Sequence, residues 1–168
     1  MSWVRTALGG VVMGAVATVG APSAGAQFEQ YAINGTFSVV ANGEWAQMNE
    51  RYQDQPSVRS TWTVDTSCAS ALACSGTVTS SLGWTANIYT QNGIMWFVKH
   101  DVAEWIPCDD GTRAPGLQVF SFYPASPDGM ATTDRDLFLG KDETIGASGN
   151  CGRNQPLVLT MPVKISRA

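Results

Sequence analysis

The sequence predicts an all-β domain, an antiparallel meander of about eight strands closed as a barrel or folded as a sandwich and held by two disulfides. Three observations predict it. Apolar and polar residues alternate with period two in one run after another, and turn residues separate the runs. This is the pattern of half-buried strands joined by short connections. Helical periodicity is thin: Glu44–Gln53 could form two turns, and it could equally carry a strand into a loop. Finally, the four cysteines Cys68, Cys74, Cys108 and Cys151 all follow an N-terminal segment laid out as an export signal, and exported chains reach compartments where thiols oxidise.

That segment is residues 1–26. It has a basic start ending at Arg5, an apolar run from Ala7 to Ala21, a break at Pro22, and Ala24-Gly25-Ala26 ahead of Gln27. The order is that of a secretory signal peptide with its cleavage site. The apolar run falls short of the roughly 20 residues that a spanning helix needs. No cysteine stands near the cut to carry a lipid, and a lone arginine points to the general export route. The expected mature domain is residues 27–168, which is 142 residues with nine basic and fourteen acidic side chains, net −5. That is one domain's length. The acidic groups are scattered and no basic stripe occurs, which argues against nucleic acid and against docking on anionic lipid. The expected location is outside the cell or in its envelope, with no membrane insertion after processing.

The strands follow in order. Gly35–Val40, Arg59–Ser67, Ser75–Ser80, Trp84–Thr90, Ile94–Val102, Gln118–Tyr123 and Leu137–Lys141 each alternate. The C-terminal run is the cleanest, with Leu157, Leu159, Met161, Val163 and Ile165 on one face. Pro162 on its polar face lacks a ladder donor, which predicts an edge or a bulge there. Gln91-Asn92-Gly93 is the strongest hairpin signal, since Asn-Gly readily supplies two positive φ angles. Asp110-Gly111 and Asp128-Gly129 mark two more turns.

Four cysteines allow three pairings. Cys68 with Cys74, six positions apart, can be closed by a tight turn between the second and third strands. Cys108 with Cys151 would then staple a loop of 44 residues. A zinc site would need C-x-x-C spacings, which are missing, and His100 is the sole histidine to add a nitrogen ligand. No metal and no cofactor is expected.

Three pieces resemble a group of small secreted proteins of mycobacteria and related actinobacteria whose activity is not established. They are Ser67-Cys68-Ala69-Ser70 with Cys74 soon after, Trp105-Ile106-Pro107-Cys108-Asp109-Asp110-Gly111-Thr112, and Gly149-Asn150-Cys151-Gly152 ahead of Pro162-Val163. This resemblance implies a fold, a cysteine pairing and export. Two shorter pieces, Gly43-Glu44-Trp45 and Thr133-Asp134-Arg135, are similar to the G-x-W and Thr-Asp-x-Arg stretches of lipocalin-type barrels. That likeness implies an eight-stranded cup able to hold one small ligand.

No catalytic set emerges from the residues. Asp101 adjoins His100, and neighbouring strand residues point to opposite faces, so Asp101 is badly placed to orient that imidazole. Gly146-Ala147-Ser148-Gly149 misses the spacing of a nucleophile elbow. Asp134 with Asp136, and Asp142 with Glu143, suggest calcium, but Phe138 and Leu139 stand where a ligand and a glycine are required. A solvated turn is the expected role of those carboxylates. Glu44, Asp65, Asp101 and Glu104 could be paired for glycoside hydrolysis only if the fold sets the separation. Asn34-Gly35-Thr36 fits the N-glycosylation pattern.

The aromatic residues carry the functional expectation. They read first as packed core, which aromatic side chains dominate energetically. Trp62, Trp84, Trp96, Phe97 and Trp105 are also the candidates to line a ligand cavity. The expected function is a non-catalytic binding or interaction module for an apolar small molecule, a lipid or an envelope protein. The alternatives are an extracellular hydrolase using carboxylates and a purely structural envelope protein.

Overall fold

A computed structural model describes residues 27–168; the expected signal peptide, residues 1–26, lies outside the described residues. Alternating burial appears where the sequence alternates. β1 (Gly35–Ala41) is followed by a 3-10 turn at Gly43–Trp45 and a small hairpin, β2 (Gln47–Met48) and β3 (Arg51–Tyr52). The long strands are β4 (Val58–Cys68), β5 (Cys74–Ser80), β6 (Thr85–Thr90), β7 (Trp96–Pro107), β8 (Arg113–Pro124), β9 (Leu137–Gly146) and β10 (Val158–Arg167).

Eight of these strands form a closed antiparallel barrel in the order β1-β4-β5-β6-β7-β8-β9-β10. The closing pair is β1 with β10, in register from Phe37 opposite Arg167 to Ala41 opposite Val163. That pairing makes the fold a barrel and not a sandwich, and it leaves neither strand as an edge. The hairpin β2–β3 is appended where β1 leaves β10, with Met48 opposite Leu159.

Pro162 lies at this junction. Its carbonyl accepts the N–H of Asn42 at 2.8 Å, so the missing proline donor also faces the side where β1 gives way to β2. The expected edge is thus a handover between two neighbours inside a closed sheet.

Glu44–Gln53, the one helical candidate, forms the 3-10 turn and the hairpin instead. Asn49 and Glu50 both take positive φ, the geometry of a tight hairpin turn. Asn49 Oδ1 accepts the N–H of Val158 at 2.7 Å and ties the hairpin to β10. At Gln91-Asn92-Gly93 only Gly93 has positive φ, so the expected two-residue turn is a wider loop. The Asn92 side chain closes it by accepting the N–H groups of Ile94 and Met95 at 3.1 and 2.8 Å.

The inward faces make one core. Phe37, Trp62, Val78, Ile88, Trp96, Val98, Phe122 and Phe138 are buried in it. Trp62 meets Phe120 edge to face at 4.8 Å, and Phe138 meets Phe37 and Phe122 likewise at 5.9 and 5.6 Å. One end of the barrel is closed by the segment before β1. There Ile33 is buried, its N–H donates to Thr66 Oγ1 at 2.8 Å, and that hydroxyl donates back to the Ile33 carbonyl at 3.0 Å. Both disulfides form as paired above, Cys68–Cys74 and Cys108–Cys151, and no described cysteine is free.

The lipocalin-like pieces fall outside the barrel wall. Trp45 of G-x-W sits in the 3-10 turn after β1 and is 68% exposed. Arg135 lies in the loop before β9, over the ring of Tyr31 at 5.8 Å.

Candidate functional site

At the end opposite the Ile33 plug, the barrel holds an open cavity of about 220 Å³. The end of β1 and the start of β10 supply one wall through Val39, Ala41, Leu159 and Met161. Val58 and Leu82, both large exposed apolar side chains, stand at its rim. The opposite wall is aromatic, made by Trp84 at the β5–β6 connection, Trp105 of β7 and Phe120 of β8.

Trp105 enters by an irregularity. Along β7, Trp96, Val98, His100 and Val102 share the inward phase, which would send residue 105 outward. Between Val102 and Ile106 the register shifts: four steps on β7 are matched by only two on β8, from Gly116 to Ala114. A bulge re-aims the side chains beyond it, and Trp105 turns in. The carbonyl of Glu104 in the bulge is satisfied by Arg113, whose Nε and Nη2 donate to it at 3.0 and 2.8 Å. Two glycines make room for the indole. A Cβ on Gly116 would stand 2.7 Å from Trp105 Cε3, and one on Gly146 would stand 2.9 Å from Cζ3.

The polar lining is Ser60, Thr144, Gln118 and Asp142, and the last two begin a hydrogen-bonded chain that ends at His100, outside the lining. Asp142 of β9 is 1% exposed, although it lies opposite Phe120 on one side and Met161 on the other. Gln118 Nε2 donates to both of its carboxylate oxygens at 2.8 Å. Gln118 Oε1 lies 2.8 Å from His100 Nε2. With the amide donating to Asp142, that contact requires the proton on Nε2. The His100 ring is stacked on Trp84, centroids 4.1 Å apart and planes 18° apart. Burial pushes the Asp142 carboxyl up to about 6, and the Gln118 hydrogen bond only partly opposes this.

This corrects the expectation that Asp142-Glu143 forms a solvated turn. The strand continues past Lys141 to Gly146, and Asp142 shares the inward phase of Phe138 and Thr144. Parity carried one residue past Lys141 would have found it. Gln118 was likewise legible as the inward neighbour of Phe120.

The five candidate aromatic residues do not share one surface. Trp84 and Trp105 line the cavity. Trp62 is buried beneath it against Trp84 and Phe120, and Trp96 is fully buried opposite Phe122. The Nε1 atoms of both buried indoles lack a hydrogen-bond partner among the described residues. Phe97 points out of the barrel, where it stacks on Tyr89 at 5.6 Å. The carboxylates of Glu44, Asp65, Asp101 and Glu104 belong to exposed residues outside the cavity lining. Among the described residues no group of three or more His, Cys, Asp or Glu converges as for a metal ion. No described helix is long and apolar enough to cross a membrane.

No family model matches the chain, and no curated protein matches it in sequence. Among solved structures the chain is similar to the monomer form of the PknI sensor domain of M. tuberculosis. The two share 16% identity at a TM-score of 0.56, over 81% of this chain and 87% of that one. At that identity the likeness is one of fold.

Proposed function

We propose that residues 1–26 direct export and are removed, and that residues 27–168 act outside the cell or in its envelope as a non-catalytic binding module for a small, mainly apolar molecule. The observation that carries this reading is the open cavity walled by Trp84, Trp105, Phe120, Val39 and Met161. Pockets that combine apolar walls with a few convergent polar groups are the usual small-molecule sites. At about 220 Å³ the cavity suits a single-ring compound or short chain, since a cavity of roughly 150 Å³ already admits benzene. The likeness to a domain named as the PknI sensor domain supports a receiving role over a purely structural one. None of Glu44, Asp65, Asp101 and Glu104 lines this cavity, which favours binding over carboxylate hydrolysis at this site.

Titration of oxidised residues 27–168 with toluene and benzyl alcohol, followed by saturation-transfer NMR and tryptophan fluorescence, tests the reading. Saturable binding, blocked when Ala41→Phe fills the cavity, is expected. Binding that survives Ala41→Phe would place the ligand elsewhere, and its complete absence would overturn the module.

A further inference from the structure

Asp142 is a carboxylate where the fold has no need of one. It sits in an inward row that otherwise reads Phe138, Gly140, Thr144 and Gly146, and it faces a cavity with apolar walls. An ionised carboxylate offers about four acceptor sites, and among the described residues only the shared donor Gln118 Nε2 occupies them. The ion pairs among the described residues, Lys141–Glu143 and Arg167–Asp136, do not include it. A buried charge with so little compensation is destabilising unless something pairs with it.

Resting on the binding-module reading, we propose that the occupant of this cavity is a small organic amine, its ammonium group held by Asp142 and its apolar body by Trp84, Trp105 and Phe120. The desolvation of Asp142 is already met when the chain folds, so the ligand adds only that of its own ammonium. Against this stand a charge-assisted hydrogen bond in a low-dielectric site and aromatic faces that attract cations. A neutral alcohol of the same shape could donate one hydrogen bond but would leave the charge in place. A carboxylate or phosphate would be repelled.

Few other groups compete for this role. His100 on β7 reaches Asp142 only through Gln118 on β8. The flanking charges on β9, Lys141 and Glu143, pair with each other on the outer face. The walls from β1, β4 and β10 present Val39, Ala41, Ser60, Leu159 and Met161, none of which titrates. Amine binding should therefore follow the ionisation of Asp142 and weaken as the solution is acidified through pH 6.

The test compares benzylamine with benzyl alcohol and toluene on the oxidised domain at pH 8 and pH 5. Benzylamine is expected to bind about tenfold or more tightly than benzyl alcohol at pH 8, and the ratio should collapse toward one at pH 5. Asp142→Asn should abolish the preference while toluene still binds. Should that variant fold poorly, carboxyl NMR of the unmodified domain serves instead, because saturating benzylamine should lower the Asp142 titration midpoint. Equal affinities at pH 8, a preference for the alcohol, or an unmoved midpoint would overturn the amine assignment and leave the binding module standing. Failure of all three compounds to bind would overturn both.

Discussion

Gln118 Nε2 sits 2.8 Å from each carboxylate oxygen of Asp142, and among the described residues this amide alone hydrogen-bonds an acid buried inside a β-barrel. The other end of that amide holds His100 against Trp84. Three strands, β7, β8 and β9, are therefore tied together at the cavity by side chains as well as by their ladder. The arrangement fixes an aromatic wall in place and costs the fold an unneutralised charge.

That cost sets a pH dependence. The folded protein holds the Asp142 proton up to about pH 6, above the ordinary 3.8. Folding therefore favours the protonated form. The contribution is fully present below the ordinary value and is lost as pH rises through about 6. The difference corresponds to about 3 kcal/mol. Asp142→Asn removes the charge and keeps a hydrogen-bonding partner for Gln118. It should raise stability at pH 8 by about 1–3 kcal/mol in urea unfolding and change it little at pH 4. An equal loss at both pH values would show that burial does not strain the carboxylate.

The seat of Trp105 makes a second prediction. Gly116→Ala places a methyl group where the indole now lies, 2.7 Å from Cε3. Overpacking of this kind costs about 1–3 kcal/mol, and the displaced ring should shift the tryptophan emission. Gly111→Ala, at a turn glycine with φ of +83° and open space around it, should cost about 1 kcal/mol by backbone strain alone, with emission unchanged. Thermal melts of both variants with their emission spectra separate the two effects. Identical spectra would mean that Trp105 does not depend on Gly116.

Most strands were legible in the sequence because a closed barrel buries one face of each, and that prints period two directly on the chain. Phe37, Val39 and Ala41 of β1, or Met161, Val163 and Ile165 of β10, need no tertiary knowledge to be placed. Closure itself was not legible, because the pairing of β1 with β10 joins residues more than a hundred positions apart. Parity also misplaces whatever follows a bulge, so the inward turn of Trp105 could not be read from its spacing to Trp96. Asp142 was hidden by its chemistry. Two adjacent acids resemble a surface turn, and a buried acid can be recognised only when the strand is extended through it. The site was therefore visible as aromatic residues and invisible as an electrostatic unit.

The two disulfides should contribute unequally. Cys108–Cys151 spans 43 positions and Cys68–Cys74 spans six. On loop entropy, removing the first pair by Cys108→Ala with Cys151→Ala should cost about 4 kcal/mol, and removing the second pair about 2 kcal/mol. Cys68 and Cys74 already stand opposite each other in the β4–β5 ladder, so the backbone constrains them even when reduced. Urea midpoints of the two double variants give the order. A larger loss at Cys68–Cys74 would contradict it. The intact mass of exported protein should lack residues 1–26 and four hydrogens, and four alkylatable thiols in fresh material would exclude both bridges.

Trp84 and Phe97 provide the sharpest contrast among the aromatic candidates, since one lines the cavity and the other faces solvent across β7. Trp84→Ala removes the ring stacked at 4.1 Å on His100 and packed at 5.6 Å against Trp62. It should cost about 3 kcal/mol, as large-to-small changes in a packed wall do, and enlarge the cavity enough to weaken toluene binding. Phe97→Ala removes only the outward pair with Tyr89, costing about 1 kcal/mol with toluene affinity unchanged. Calorimetric melts and toluene titrations on the two variants check both halves. A loss of toluene affinity in Phe97→Ala equal to that in Trp84→Ala would mean that the open end of the barrel is not where the ligand sits.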